Sequence, residues 1–125
     1  MTDAANNPAH FSANDCIFCK IARGEIPSTF LYQDNDIVAF RDSSPVAPTH
    51  VLIVPRKHMV SVADVDDATA PMMGKAIQVA AQIARMENVE ASGYRLLTNA
   101  GPDGGQVVMH LHWHLIGGRK LGKLG

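Results

Sequence analysis

The chain has 125 residues, 46% of them hydrophobic, and a formal net charge of −1. This size suits one globular domain, and a near-neutral chain lacks the basic excess typical of a nucleic-acid-binding domain. No apolar stretch approaches the roughly 18 residues of a membrane span, and the first residues have neither the basic start nor the apolar centre of a secretory signal. The two cysteines, Cys16 and Cys19, are too few for a disulfide framework. We therefore expect a cytoplasmic protein without nucleic-acid or membrane partners.

The N-terminal half predicts a short helix and three strands. Residues 1–14 are polar and are expected to form a flexible arm, which leaves 15–125 for the folded domain. Asp15 can cap a helix that ends at Gly24. Three runs of apolar, β-branched and aromatic residues follow, and an Asp-Asn turn between the first two predicts a hairpin. The predicted strands cover residues 28–33, 36–41 and 50–55.

The C-terminal half predicts one long helix and two strands. Apolar residues recur at three- and four-residue spacing through 69–88, which indicates a helix with one apolar stripe and Thr69 as its cap. A strand over 94–99, a glycine-rich loop over 100–105 and a long strand over 106–116 follow. Because several strands are joined by short turns, this order predicts an α+β fold, with a five-stranded antiparallel sheet and two helices on one face.

Half of the six histidines lie in the stretch MHLHWHLIGG at 109–118. Successive side chains of a strand point to opposite faces, so His110, His112 and His114 would share one face and the intervening apolar residues the other. The apolar set suits a hydrophobic core. A solvent-facing polar strand would not require three histidines at regular alternation, so the pattern indicates a functional cluster.

Two chemistries are open to this cluster. A His-x-His pair on a strand can bind one metal ion, and a third ligand would complete a catalytic zinc site. Three collinear imidazoles span about 13 Å, so they cannot all reach one ion at about 2.1 Å. The alternative is nucleophilic catalysis, since a neutral imidazole attacks phosphorus well when an acceptor holds its other nitrogen. The glycine loop directly before the histidines favours phosphate chemistry, because glycine lets backbone N–H groups approach an anion.

Several segments resemble the Hint branch of the histidine triad superfamily, in the same order. HLHWHLI is similar to its signature of histidines alternating with apolar residues, and the resemblance extends over about residues 15–119. The other segments are CIFCKIARGEIPS, AFRD, SPVAPTHVLIVPRKH, GYRLLTN and DGGQ. The resemblance implies a hydrolase that cleaves purine nucleoside 5′-phosphoramidates of the adenosine type, and related adenylates, through a covalent nucleotidyl-histidine. It also implies a homodimer whose two sheets join into one of ten strands.

The resemblance implies a role for each histidine of the site. His112 would be the nucleophile, and His114 would contact the phosphate and assist the leaving group. His110 would hold His112 through its backbone carbonyl, and His50 would be the fourth histidine.

The resemblance also implies which residues bind the nucleotide. Asp42 would bind the ribose hydroxyls. The residues implied to form the apolar slot for the purine, adenine or guanine, are Phe18, Ile21, Phe40 and Leu52. Those implied on the phosphate and ribose side are Asn99, Gly105, Gln106 and Val107. Val107 stands where many relatives carry serine, and the tail after Arg119 is short, so selectivity is expected to differ.

The two cysteines have the C-x-x-C spacing of metal ligands. Some members of the superfamily hold a structural zinc ion through such a pair plus two histidines, and by position the set would be Cys16, Cys19, His50 and His110. The alternative is that two buried small residues of a short helix happen to be cysteine. In either case the expected reaction requires no cofactor.

Two further functions remain open from the sequence. A nucleotide-binding or sensing dimer without catalysis would bind AMP and turn over no phosphoramidate or adenylate. A zinc hydrolase that uses a strand-borne histidine pair would lose its activity on chelation.

Overall fold

The structure, a computed structural model, describes residues 16–125. The predicted flexible arm, 1–14, and the predicted cap Asp15 lie outside the described residues. The helices are α1, Ile17–Ala22, and α2, Ala70–Met86. The strands are β1, Phe30–Gln33; β2, Ile37–Arg41; β3, Thr49–Pro55; β4, Tyr94–Leu97; and β5, Trp113–Gly117.

The five strands form one antiparallel sheet in the order β1-β2-β3-β5-β4. The predicted hairpin forms between β1 and β2, where the Asp34 carboxylate accepts the backbone N–H groups of Asp36 and Ile37. An acidic side chain that bonds its own turn in this way stabilises the reversal. The predicted α+β fold, with five antiparallel strands and two helices, is confirmed.

The two helices cover opposite faces of the sheet, so the prediction that both lie on one face is wrong. Along β2, Ile37 and Ala39 pack in the core beneath α2, whereas Val38 and Phe40 pack beneath α1. With both faces covered, β3 is buried along its whole length. The unbroken apolar run VLIV is typical of a strand buried on two faces rather than one.

Hydrogen bonds define both ends of helix α1, and its two cysteines are buried. The Cys16 sulfur accepts the backbone N–H of Cys19 at 3.3 Å and so caps the first turn. Gly24 ends the helix as predicted, with φ at +79°, and its N–H and that of Glu25 bond carbonyls of the last turn. Both cysteine side chains are therefore buried at the start of the helix.

Helix α2 lies within two residues of its predicted bounds. Thr69 occupies the cap position, but its hydroxyl bonds Asp66 instead of a helix N–H. One stripe of the helix is buried against the sheet, while Ile77 is 48% exposed. Over residues 16–125, no helix has the length and apolar character needed to cross a membrane.

The predicted strand over 106–116 is wrong over its first half, because β5 begins only at Trp113. At the residue before, the His112 carbonyl accepts a hydrogen bond from the Thr98 hydroxyl at 2.6 Å. A side chain thus takes the place of the next strand-to-strand bond. Only the last of the three histidines therefore lies in a strand.

Candidate active site and a four-donor cluster

The register of the sheet sends the histidines to two separate places. His50 pairs with Ile116 across β3 and β5, and Leu52 pairs with His114. His50 and His114 are therefore diagonal neighbours, and their facing nitrogens are 2.9 Å apart. His110 precedes β5 by three residues, on the side where β3 ends. It consequently lies beyond the opposite end of β3.

His58, not His50, lies with the two cysteines, so the predicted metal set is wrong at that position. Cys16, Cys19, His58 and His110 each direct one donor atom into a common space, and the four atoms lie within 4.8 Å of one another. Antiparallel pairing places the chain that follows β3 beside the chain that precedes β5. The histidine of PRKH, just after β3, was the signal in the sequence. We call these four residues the donor cluster.

The contacts of His110 prepare it to act as a ligand. Its Nε2 lies 2.7 Å from the Pro55 carbonyl, which can only accept, so Nε2 carries the proton in the neutral ring. The bare Nδ1 lies 3.2 Å from Cys16 Sγ, 3.4 Å from Cys19 Sγ and 3.2 Å from His58 Nδ1. Among the described residues, His58 Nε2 has no hydrogen-bond partner, so nothing prevents His58 from offering Nδ1.

The donor cluster fits a tetrahedral zinc ion. Zinc–nitrogen bonds of about 2.0 Å and zinc–sulfur bonds of about 2.3 Å place ligand atoms roughly 3.3–3.8 Å apart. The Cys19 Sγ to His58 Nδ1 distance of 3.3 Å, like those around His110, is close to this range. Without an ion, burial and the adjacent Cys16 raise the pKa of the Cys19 thiol to about 12.

One ring nitrogen of His112 is hydrogen-bonded to the backbone, and the other keeps a free lone pair. Its Nδ1 lies 2.7 Å from the His110 carbonyl, which fixes the proton on Nδ1 and leaves the lone pair on Nε2. His112 is only 8% exposed, and its ring meets the Phe18 ring edge-to-face, with centroids 5.0 Å apart. His112 is thus a neutral, oriented imidazole with a free nucleophilic nitrogen.

His50 and His114 form a chain of fixed hydrogen-bond direction. The backbone N–H of Val46 donates to His50 Nδ1 at 3.2 Å, so the neutral His50 carries its proton on Nε2. His50 Nε2 then donates to His114 Nδ1, which leaves His114 Nε2 as the protonated nitrogen. An Asp42 carboxylate oxygen lies 3.4 Å from His50 Nε2 and favours a positive charge on this pair.

Burial keeps these histidines neutral near pH 7. It lowers the pKa of His114 to about 4, with smaller contributions in the same direction from His112 and His50. Burial is also the main cause that lowers the pKa values of His112 and His50, against the opposing effect of Asp42. A neutral nucleophile is therefore available without a separate base.

The histidines open into a groove made of two adjoining cavities of about 370 Å³ each. The cavities share Phe18, Asp42, Leu52 and Val108. The first, the apolar slot, also contains the predicted Ile21 and Phe40. The second, the histidine pocket, is lined by the predicted Asn99, Gly105, Val107, His50, His112 and His114. One groove thus joins an apolar end to an end rich in imidazoles.

Comparison with known proteins gives the family. Residues 23–121 match the family model of the HIT domain. The chain belongs to the HIT family. A purine nucleoside phosphoramidase of Escherichia coli (strain K12) is 49% identical over 112 residues, which cover 90% of this chain and 94% of the relative. The resemblance to the Hint branch is confirmed.

Two further relatives of this HIT protein are informative. A 14 kDa zinc-binding protein of Zea mays is 43% identical over 107 residues, covering 84% of this chain and 83% of the relative. A solved structure of a histidine triad protein from Clostridium difficile is 44% identical, with a TM-score of 0.87 over 92% of this chain and 100% of the other. The fold is therefore shared with HIT proteins along nearly all of the described chain.

Gln106 is the predicted groove residue that the structure does not bring into the groove of this HIT protein. It is 6% exposed, and its Nε2 donates to the carbonyls of Val60 and Val108. Its Oε1 accepts the backbone N–H of Gly101. With its side-chain amide committed to the backbone, Gln106 fastens the glycine loop to the segment after β3. Sequence reasoning also missed Thr98, whose hydroxyl holds the His112 backbone, since a threonine just after a strand carries no distinct signal.

Proposed function

We propose that this HIT protein hydrolyses purine nucleoside 5′-phosphoramidates of the adenosine type, and related adenylates, through a nucleotidyl-histidine intermediate. The hydrogen bond from His112 Nδ1 to the His110 carbonyl carries the proposal, because it leaves Nε2 as a bare nucleophile in the histidine pocket. The name of the Escherichia coli relative, a purine nucleoside phosphoramidase, supports the substrate class. The more general function, hydrolysis of a nucleotide substrate, is the one that this chain shares with its HIT relatives.

The groove suits a nucleotide from end to end. The purine would enter the apolar slot, where the Phe18 and Phe40 rings stand edge-to-face with centroids 5.5 Å apart. Asp42 lines both cavities, so its carboxylate lies where the ribose hydroxyls would join base to phosphate. Gly105 has φ at +87°, a conformation that glycine adopts without strain, and brings the loop backbone beside the phosphate position.

In the first step, His112 Nε2 attacks phosphorus and the phosphorus–nitrogen bond to the leaving amine breaks. The bound phosphate is anionic, and with Asp42 it raises the affinity of the His50–His114 pair for one proton. His114 delivers that proton to the departing nitrogen. The positive charge that forms on His112 is stabilised by its Nδ1–H bond to the His110 carbonyl.

In the second step, water attacks phosphorus and the bond to His112 Nε2 breaks. The His50–His114 pair takes the proton that the water loses, and the nucleoside 5′-monophosphate leaves. Each cycle therefore consumes one water, releases one amine and restores the neutral His112. No step uses a metal or another cofactor.

We propose that the donor cluster holds a structural zinc ion through Cys16, Cys19, His58 and His110. Four protein ligands form the closed arrangement of structural zinc sites, and the ion would supply a cross-link between α1 and two loops. The name of the Zea mays relative, a 14 kDa zinc-binding protein, supports the choice of zinc as the metal.

We further propose that the protein is a homodimer whose sheets join. Strand β4 lies at an edge of the sheet, with one side of its backbone unpaired in the described chain. On α2, Ile77 is 48% exposed, and Tyr94 at the start of β4 is 39% exposed. An unpaired strand edge and exposed apolar side chains are features that a second copy would cover.

The enzymatic proposal is tested by hydrolysis of adenosine 5′-phosphoramidate. His112→Asn removes the nucleophile but keeps a polar side chain of similar reach, so we expect kcat to fall at least about 10³-fold. Binding of AMP and the melting temperature serve as controls for the fold and should change little. A His112→Asn protein with the kcat of the parent would overturn the assignment of the nucleophile.

A further inference from the structure

Helix α1 contributes to both the donor cluster and the nucleotide groove. Cys16 and Cys19 point into the donor cluster, whereas Phe18 and Ile21 line the apolar slot. Phe18 lines both cavities and contacts the His112 ring. The position of this one short helix therefore decides the shape of the slot.

Helix α1 would be unstable in isolation and depends on its contacts with the rest of the protein. The helix has six residues, well below the length at which a helix is stable by itself. It is held by its apolar face and by a hydrogen bond from Arg56 to the Ala22 carbonyl at its far end. At its first turn, the polar contacts are those of the two cysteine sulfurs with His58 and His110. An ion bound there would replace weak contacts with coordination bonds to the segments that flank β3 and β5.

The orientation of the nucleophile is less dependent on an ion. The His110 ring is anchored through Nε2 to the Pro55 carbonyl, and the His110 carbonyl holds His112. Thr98 fixes the His112 carbonyl as well. These bonds use the Nε2 and the carbonyl of His110 and not its Nδ1, the atom that faces the other three donors, so the loss of an ion would leave the attacking nitrogen in place.

We propose that zinc in the donor cluster and a purine nucleotide in the groove bind cooperatively, with Cys16, Cys19 and His58 acting as positioning residues for the apolar slot. The inference rests on the proposed nucleotide and zinc sites. Zinc orders α1 and preforms the slot, so it strengthens nucleotide binding and leaves the chemical step nearly unchanged. By thermodynamic linkage, the nucleotide strengthens zinc binding by the same factor.

Calorimetric titration with AMP of the full chain, with zinc bound and after chelation, measures this coupling. We expect the zinc-loaded protein to bind AMP about 5- to 150-fold more tightly, the usual range for coupled sites. Zinc competition with a chromophoric chelator should show an equal gain in zinc affinity at saturating AMP. In turnover of adenosine 5′-phosphoramidate, the KM should rise on chelation while kcat stays within a few-fold. Equal AMP affinities with and without zinc, or a chain that binds no zinc, would overturn the proposal.

A matched pair of variants separates positioning from a general loss of fold. His58→Ala removes one ligand, whereas His58→Cys restores a four-ligand set of the three-cysteine, one-histidine kind that structural zinc sites use. With zinc present, we expect weakened AMP binding in His58→Ala and parent-like binding in His58→Cys, both folded by far-UV circular dichroism. If the chelated parent unfolds, this pair decides the question, and equal AMP affinity in the two variants refutes the coupling.

The same data distinguish the two proposals. A zinc-loaded chain that binds AMP cooperatively but hydrolyses no phosphoramidate would refute the enzymatic function and keep the coupling. A chain that hydrolyses the phosphoramidate with the same KM before and after chelation would refute the coupling and keep the function.

Discussion

Each of three histidines has one ring nitrogen against a backbone group of fixed polarity. His110 and His112 each face a carbonyl, and His50 faces the N–H of Val46. A carbonyl only accepts and an N–H only donates, so the backbone sets the tautomer of each ring. The consequences differ for the three rings. His110 directs a lone pair into the donor cluster, His112 directs one toward the proposed phosphate position, and His50 donates a proton to His114. Side chains that look equivalent in the sequence thus acquire different chemistry.

The pH dependence of kcat/KM should follow from the burial of His112. Burial lowers its pKa, so the neutral, nucleophilic form persists below the ordinary histidine value of about 6.5. Attack requires that neutral form, so on the acid side activity is lost as the pH falls through the lowered pKa of His112. We therefore expect kcat/KM for adenosine 5′-phosphoramidate to stay level from about pH 7 through 6.5 and to decline below it. An acid limb centred at or above pH 6.5 would show that His112 is not shielded.

At the scale of elements, long periodic segments were predictable and the site-bearing loop was not. The predicted bounds of α2 and of the strands at 36–41 and 50–55 are right to within two residues, because their period and length are distinctive. The alternation over 106–116 was misleading, because the chain bends over residues 108–110 and pairs as a strand only from Trp113. Whether a segment pairs with a neighbouring strand depends on residues distant in sequence. Here the Thr98 hydroxyl bonds the His112 carbonyl in place of the next backbone bond between strands.

Most residues of the candidate site were predicted, but which of them lie beside one another was predicted less well. The resemblance supplied the groove residues, all of which except Gln106 line the groove or hold His112. His50 was predicted to lie with His110, but His58 lies there instead, because the partner of His110 depends on the register of β3 against β5. Register is set by the whole sheet, and one strand considered alone does not contain it.

The glycine loop before the histidines should be intolerant of a side chain at Gly104. A Cβ there would lie 2.5 Å from the Ala100 carbonyl oxygen, so the backbone of the loop must move. Because Gly105 borders the proposed phosphate position, we expect Gly104→Ala to lower kcat/KM by about 10- to 100-fold while the protein stays folded. Gly122→Ala is the matched control, since its Cβ meets nothing within 4 Å, and it should behave as the parent. Parent-like kinetics in Gly104→Ala would contradict this role for the loop.

At the scale of the whole molecule, the two faces of the sheet have different roles: one packs the hydrophobic core and the other carries the candidate site. The face beneath α2 contains a core of apolar residues, whereas the face beneath α1 carries the groove and the donor cluster. Substitutions on the two faces should therefore have different consequences. Those beneath α2 affect stability first, and those beneath α1 affect binding and turnover.

The proposed dimer makes a prediction about the exposed face of α2. Ile77→Asp places a charge on an apolar surface that a second copy would bury, so we expect the dimer dissociation constant to rise at least about 10-fold. Sedimentation velocity over a concentration series measures this change, and Ile77→Val is the conservative control. A parent protein that remains monomeric at every concentration would contradict the dimer.

The proposed mechanism depends most on a covalent bond between the nucleotide and His112. Its most direct test is rapid quenching of the protein during the first turnover of adenosine 5′-phosphoramidate, followed by mass spectrometry of the intact chain and its peptides. The mechanism predicts a mass increase of one adenylyl group, carried by the peptide that contains residues 106–119 and assigned to His112. The His112→Asn protein should show no such increase. Full turnover without a covalent species, or an adenylyl group on a different residue, would contradict the mechanism.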